Sequence, residues 1–134
     1  MASPLLDVCG VAVSPDHYID GQRIASPETM DLSSPIDQRP LGRIAEGTAD
    51  HVEAAIGAAQ RAFPSWSALS AAERQPFLAR FADEIGKRAE AFCLLESNDA
   101  GVLLSRMRHG VVPRAMLNIS WFAKHALEIG RAHV

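Results

Sequence analysis

His17-Tyr18-Ile19-Asp20-Gly21-Gln22-Arg23-Ile24 places an Asp-Gly pair between two short apolar runs. This is the strongest short-range signal for a β-hairpin, because a type I′ turn needs positive φ at both central residues. A second strand is expected at Thr29 to Ser33. Pro35 and Pro40 then bracket a turn, and Leu41 to Ala45 reads as its partner strand. Upstream, residues 1–16 carry Pro4 and Pro15 among small residues and read as a loose N-terminal arm.

The pattern changes near residue 48. Thr48 is a good N-cap, and Val52, Ile56, Ala59 and Phe63 recur at helical spacing. Pro64 is expected to end that helix, with Ser65 to Ser67 as a link. Ser70-Ala71-Ala72-Glu73 is a capping box, so a second helix starts there. Its apolar face is Phe77, Leu78, Phe81 and Ile85, continued by Phe92 and Leu95, with Pro76 in its second turn and a bend at Gly86. The stretch Asn98 to Gly101 is a stop, and Val102 to Arg108 offers one or two further turns. A last helix is expected from Pro113, where a fixed φ suits the first helical position. It carries Ala115, Ile119, Phe122 and Ala126 on one face and Leu117 and Trp121 on another. The chain therefore reads as α/β, short hairpin strands followed by about four helices.

Composition bounds the function. The chain has 134 residues, 48% hydrophobic and 22% charged, which is an ordinary globular mixture and not that of a disordered tail. Thirteen basic and sixteen acidic residues give a net charge of −3, with no block of one sign. This disfavours a nucleic-acid partner. No stretch approaches the ~20 apolar residues of a membrane span. The short apolar run at Val11 to Val13 has no basic residue before it, which argues against a secretory leader. Cys9 and Cys93 form no C-x-x-C pair and cannot make a disulfide framework, so a reducing, cytoplasmic setting is expected.

Few residues promise chemistry. Gly42-Arg43-Ile44-Ala45-Glu46-Gly47-Thr48 has the glycine spacing of a phosphate loop but lacks the Lys that would reach the phosphates, and a strand-to-helix turn is the simpler reading. No G-x-G-x-x-G or G-x-S-x-G motif is present. The five histidines show no metal-ligand spacing. Cys93, between Phe92 and Leu94, reads as core, and Cys9 has no neighbouring His or Lys in sequence to activate it.

The order of these motifs resembles the aldehyde dehydrogenase superfamily. His17 to Arg23 is similar to that family's opening "Y-I-N/D-G" hairpin. Ser34-Pro35-Ile36-Asp37 stands where the family has Asn-Pro-Ala-Thr, and Leu41 to Gly47 matches "V-A-x-V-A-x-G". Val52 to Ile56 and Ala62-Phe63-Pro64-Ser65-Trp66 resemble "A-V-x-A-A-x-x-A-F-P-x-W". Ala72-Glu73-Arg74, Phe81 to Ile85 and Leu95 to Gly101 match "A-E-R", "A-D-x-I" and "L-E-S-x-D-x-G". Pro113-Arg114-Ala115, Asn118 and Trp121-Phe122-Ala123 resemble "I-P-R-A-x-x-N-x-x-F-F-A", the version found in the muconic-semialdehyde branch. Val102-Leu103 replaces the family's Lys-Pro, and Val111-Val112 its Asp-Ile.

The resemblance implies the N-terminal portion of the aldehyde dehydrogenase fold, lacking most of the Rossmann-like sheet. It implies residues 1–16 as arm and 17–127 as partial domain. The parent enzymes oxidise an aldehyde to a carboxylic acid with NAD or NADP and are expected to be homo-oligomers. Their nucleophilic Cys, general-base Glu and cofactor-binding motifs lie beyond the matched stretch, so no catalytic or cofactor-binding residue is expected here, and no cofactor is expected to bind this chain alone. One minor site carries over: some members bind a structural monovalent cation at positions matching Ser33, through its backbone carbonyl, and Asp99. With the sheet absent, Phe77, Phe81, Trp121 and Phe122 are expected to be partly exposed. Alternative readings are a stand-alone helical interaction module, or one half of a split dehydrogenase. The last seven residues, Glu128 to Val134, break the family pattern in mid-helix. They equal, residue for residue, the translation of a short-read sequencing adapter preceded by one G, and are expected to be a non-native tail.

Overall fold

The computed structural model describes residues 2–129. These form two compact units, residues 2–64 with 94–102, and residues 65–93 with 103–129.

The first unit is built from three antiparallel hairpins. Strand β1 (Leu6–Val8) pairs with β2 (Val11–Val13), β3 (His17–Ile19) with β4 (Gln22–Ile24), and β5 (Thr29–Ser33) with β6 (Pro40–Ala45). The Asp20-Gly21 turn has φ of 52° and 78°, as a type I′ turn requires. Residues 1–16 are not a loose arm. Cys9 and Gly10 turn with φ of 54° and 81°, and Leu6 stands opposite Val13, so a hairpin forms there too. The sequence hid it because Cys is an uncommon residue at positive φ.

The third hairpin slips register between Leu32 and Ser33 and closes through Gln38 at φ 61°. Ser34, fully buried, ties this loop by donating its N–H to the carbonyl of Arg39 at 2.9 Å and accepting from Gln38 N at 2.9 Å. Val8 and Leu41 are the buried apolar centre of this unit.

Helix α1 (Ala49–Ala68) runs through Pro64, not up to it. A proline in the last turns forfeits one helical hydrogen bond, which the helix tolerates here. None of α1 is buried: Val52, Ile56 and Phe63 are exposed, so the apolar stripe read from the sequence meets no core among the described residues.

In the second unit, α2 (Ala71–Lys87) starts at the capping box. Ser70 Oγ accepts from Glu73 N at 3.3 Å, and Glu73 Oε2 accepts from Ser70 N at 2.8 Å. Pro76 sits inside α2, in its second turn as read from the sequence. The chain breaks at Arg88, so Phe92 and Leu95 belong to a separate helix, α3 (Ala89–Ala100). A short α4 (Leu104–Arg106) passes through a π turn (Met107–Val111) into α5 (Val112–His125). Pro113 lies in the first turn of α5, as expected, but the chain is already helical before it. Helices α2 and α5 pack together, with Ala82, Met107, Val112 and Ala123 buried. Burial of α5 on two faces is not observed: Leu117 is 65% exposed and Phe122 63%. Gly86 of α2 leaves room for Met116 of α5, whose Cε would stand 2.6 Å from a Cβ there. Residues 128 and 129 follow a turn in which Glu128 N donates to the carbonyl of His125 at 2.9 Å. The remaining residues of the expected tail, 130–134, lie outside the described residues.

Candidate functional site

Four features carry polar or reactive groups, two or more of which could act on a ligand. In the first unit, β1, β2, β5, β6 and the second half of α3 line an open pocket of ≈ 260 Å³. Leu6, Val13, Leu32 and Ile44 make its wall apolar, and Glu96 and Asp99 add two carboxylates. Ser33 ends β5 opposite Pro40, which has no N–H to donate to the Ser33 carbonyl. The end of α3 lies against the following turn: a Cβ at Gly101, whose φ is +70°, would stand 3.1 Å from Pro35 Cγ. One carbonyl and one carboxylate are hard oxygen donors, the type a group 1 or group 2 cation takes. Among the described residues, no three His, Cys, Asp or Glu side chains gather in a way that could hold a metal ion.

The two cysteines lie in different surroundings. Cys93 is 2% exposed, and burial, then the Glu90 carboxylate, push its thiol up from the ordinary range. Cys9 is exposed on its hairpin turn, where Arg39 donates to its Sγ at 3.2 Å. The same guanidinium pairs with Asn98 and, at 3.3 Å, with Asp37. This neighbour lies thirty residues away, beyond the reach of any local pattern.

In the second unit, the π turn and α5 form a groove lined by Arg106, His109, Arg114 and Asn118, with Val111 and Leu117. Among the described residues, no carboxylate lines it. Arg108 turns away and binds Glu90 at 3.0 Å through Nε. Among the described residues, neither Arg106 nor Arg114 is in an ion pair. Two unpaired guanidiniums suit an anionic group. The sequence reading missed this groove because the π turn adds a residue to the helical period and alters which side chains share a face.

The fourth feature is a pair of histidines in the first unit. His17 on β3 and His51 in the first turn of α1 have ring centroids 4.6 Å apart. His51 Nδ1 accepts from Thr48 N–H at 3.2 Å and lies 3.0 Å from Thr48 Oγ1. Thr48 thus occupies the cap position as expected, with His51 acting where a capping box has Glu or Gln.

Residues 23–134 match the model of the aldehyde dehydrogenase family. The 2-aminomuconic semialdehyde dehydrogenase of Danio rerio is 34% identical over 112 residues, which are 84% of this chain and 23% of that protein. Among solved structures, PnpE from Pseudomonas sp. WBC-3 is 39% identical with a TM-score of 0.79, covering 85% of this chain and 24% of PnpE. It has also been solved with nicotinamide adenine dinucleotide. The P. syringae indole-3-acetaldehyde dehydrogenase AldA, solved with NAD+ and IAA, gives a TM-score of 0.81 at 31% identity, covering 87% of this chain and 24% of AldA. The chain spans about a quarter of the length of the relatives it matches, and its hairpins and helices match their N-terminal quarter.

Proposed function

The chain belongs to the aldehyde dehydrogenase family, and we propose that it is the N-terminal portion of an NAD(P)-dependent aldehyde dehydrogenase, a framework piece that does not catalyse alone. The observation that carries this reading is the match of nearly the whole chain to only 23% of a relative. The burial of Cys93, which pushes its thiol up, is in keeping with this reading. Aldehyde oxidation in such an enzyme needs a thiolate to attack the carbonyl and a base to activate the water that releases the acid. The nicotinamide cofactor accepts the hydride when bound. This chain contributes the hairpins, the helices that pack against the rest of the enzyme, and Ser33 and Asp99 as ligands of a structural monovalent cation. The substrate we favour is a muconic-semialdehyde-type aldehyde, on the names of relatives such as the Danio rerio enzyme.

A split dehydrogenase is the second reading, and it rests on one observation. Phe77, Phe81, Trp121 and Phe122 are 49%, 57%, 51% and 63% exposed, an apolar surface that a complementing polypeptide would cover. Co-expression of this chain with the remaining part of a relative tests both readings. Recovery of a complex that reduces NAD(P) with aldehyde supports the framework role, and failure of the two pieces to associate counts against it.

A further inference from the structure

We infer that the open pocket of the first unit binds a small organic ammonium, a primary amine in its cationic form on a short hydrocarbon body. Most of the lining is carbon. Val8 of β1 and Leu41 of β6 are its least exposed members, each 6% exposed, and Leu6, Val13 and Leu32 continue the wall. At ≈ 260 Å³ the pocket falls below the ~300–1,000 Å³ of sites for drug-sized ligands, so the body it takes is short.

One side of the pocket is charged. Glu96 and Asp99 line it from α3. At i and i+3 on one helix they share a face, with Cβ atoms about 5–6 Å apart, and two like charges so placed repel. Other carboxylates of this unit have found cations: Asp20 pairs with Arg61, Asp31 with Arg43 and Asp37 with Arg39. Among the described residues, neither Glu96 nor Asp99 is in an ion pair. Nor does any described Lys, Arg or His line the pocket. One ammonium set between the two carboxylates offsets both charges, and its N–H donors meet groups that only accept. Its hydrocarbon body then covers apolar wall that is otherwise wet.

The same lining disfavours other ligands. A divalent metal ion takes about six or more oxygens, and beyond the two carboxylates this wall is carbon. An anionic ligand would meet Glu96 and Asp99 with like charge. The monovalent-cation site proposed at Ser33 and Asp99 shares one carboxylate with the pocket, but Ser33 is not among its described lining residues. Glu96 therefore tells the two sites apart.

Titration of the isotope-labelled full chain, followed by amide chemical shifts, tests the assignment. The probes are hexylammonium, hexan-1-ol, hexanoate and methylammonium, at one pH and one ionic strength. Hexylammonium is expected to shift the amides of Val8, Val13, Leu41 and Leu95 saturably, and to bind about fivefold more tightly than hexan-1-ol. Hexanoate should leave those amides unmoved because of its charge, and methylammonium because it has no body to bury. Glu96→Gln with Asp99→Asn should weaken hexylammonium about fivefold and leave hexan-1-ol unchanged. Glu96→Gln alone should weaken it too, which a cation held by Ser33 and Asp99 does not require. Both side chains are exposed, so the substitutions spare the core, and the four probes on the parent chain decide the matter should a variant not fold. Equal binding of hexylammonium and hexan-1-ol, or an affinity unchanged in the double variant, overturns the proposal. So do shifts confined to the second unit, where exposed aromatic side chains would take any apolar probe. Methylammonium saturating the same amides at the same concentration overturns it as well, since the charge alone would then suffice.

Discussion

A Cβ on Gly42 would stand 2.7 Å from Leu6 Cδ1, so β1 rests on β6 at a place where β6 carries no side chain. Gly42 also has φ of +144°, which an L side chain rarely adopts. Gly42→Ala therefore meets two obstacles, backbone strain and displacement of Leu6 from the wall of the pocket. The expected loss is about 1–3 kcal/mol of stability, read by chemical denaturation. A change below ~0.5 kcal/mol would show that the first hairpin is free to lift away.

Glu84 gives a pH dependence with a definite sign. The Lys87 ammonium at 2.6 Å, and then Arg88, hold its carboxyl down to about 2. A carboxylate whose folded value is depressed contributes stability above its unfolded value of about 4.3 and loses it as pH falls through the folded one. The α2 C-terminus is thus expected to loosen between about pH 4.3 and 2. High salt should weaken the effect, since all three side chains are at the surface. Carboxyl chemical shifts across an acid titration measure it, and Glu84→Gln should remove the transition.

The two thiols should differ in reactivity. Cys9 is exposed beside Arg39, and Cys93 is buried with its thiol pushed up. Alkylation at neutral pH followed by mass spectrometry should label Cys9 rapidly and Cys93 only after denaturant is added. Equal labelling of both in the native chain would contradict the packing of α3.

The exposed aromatic side chains of the second unit should be sticky. Each of Phe77, Phe81, Trp121 and Phe122 leaves about half of its surface in water, forgoing part of the ~1.5–3 kcal/mol that full burial of such a side chain gives. The isolated chain is expected to bind a hydrophobic dye and to associate at higher concentration. Phe81→Ser with Phe122→Ser should reduce both, and a dye signal unaffected by that pair would place the exposed surface elsewhere.

The hairpins at Asp20-Gly21 and Thr29 to Ala45 were legible because their turns carry strong local chemistry, and the second helix because Ser70 and Glu73 cap it reciprocally. The first hairpin was not legible, since Cys9 gives no turn signal. Pro64 misled for a related reason: a proline marks where a helical bond is lost, and the last turns of α1 tolerate that loss. Hydrophobic periodicity located the helices but misjudged burial in α1 and α5. Periodicity shows which face wants a partner, and Val52, Phe63 and Phe122 stay exposed among the described residues. The positions of Ser33 and Asp99 came from family resemblance alone. The Arg106–Arg114 groove and the His17–His51 contact arise from a π turn and a long-range packing that no local pattern encodes.

The central claim is that this chain supplies framework and not the reacting groups. The most direct measurement is nicotinamide reduction by the purified chain with NAD+ or NADP+ and a panel of aldehydes, alone and with a separately produced polypeptide carrying the rest of a relative. The account predicts no aldehyde-dependent reduction by the chain alone, and activity in the mixture that is unchanged in the Cys9→Ser, Cys93→Ser variant. Aldehyde-dependent reduction by the chain alone would contradict it, whether or not that variant retains the activity.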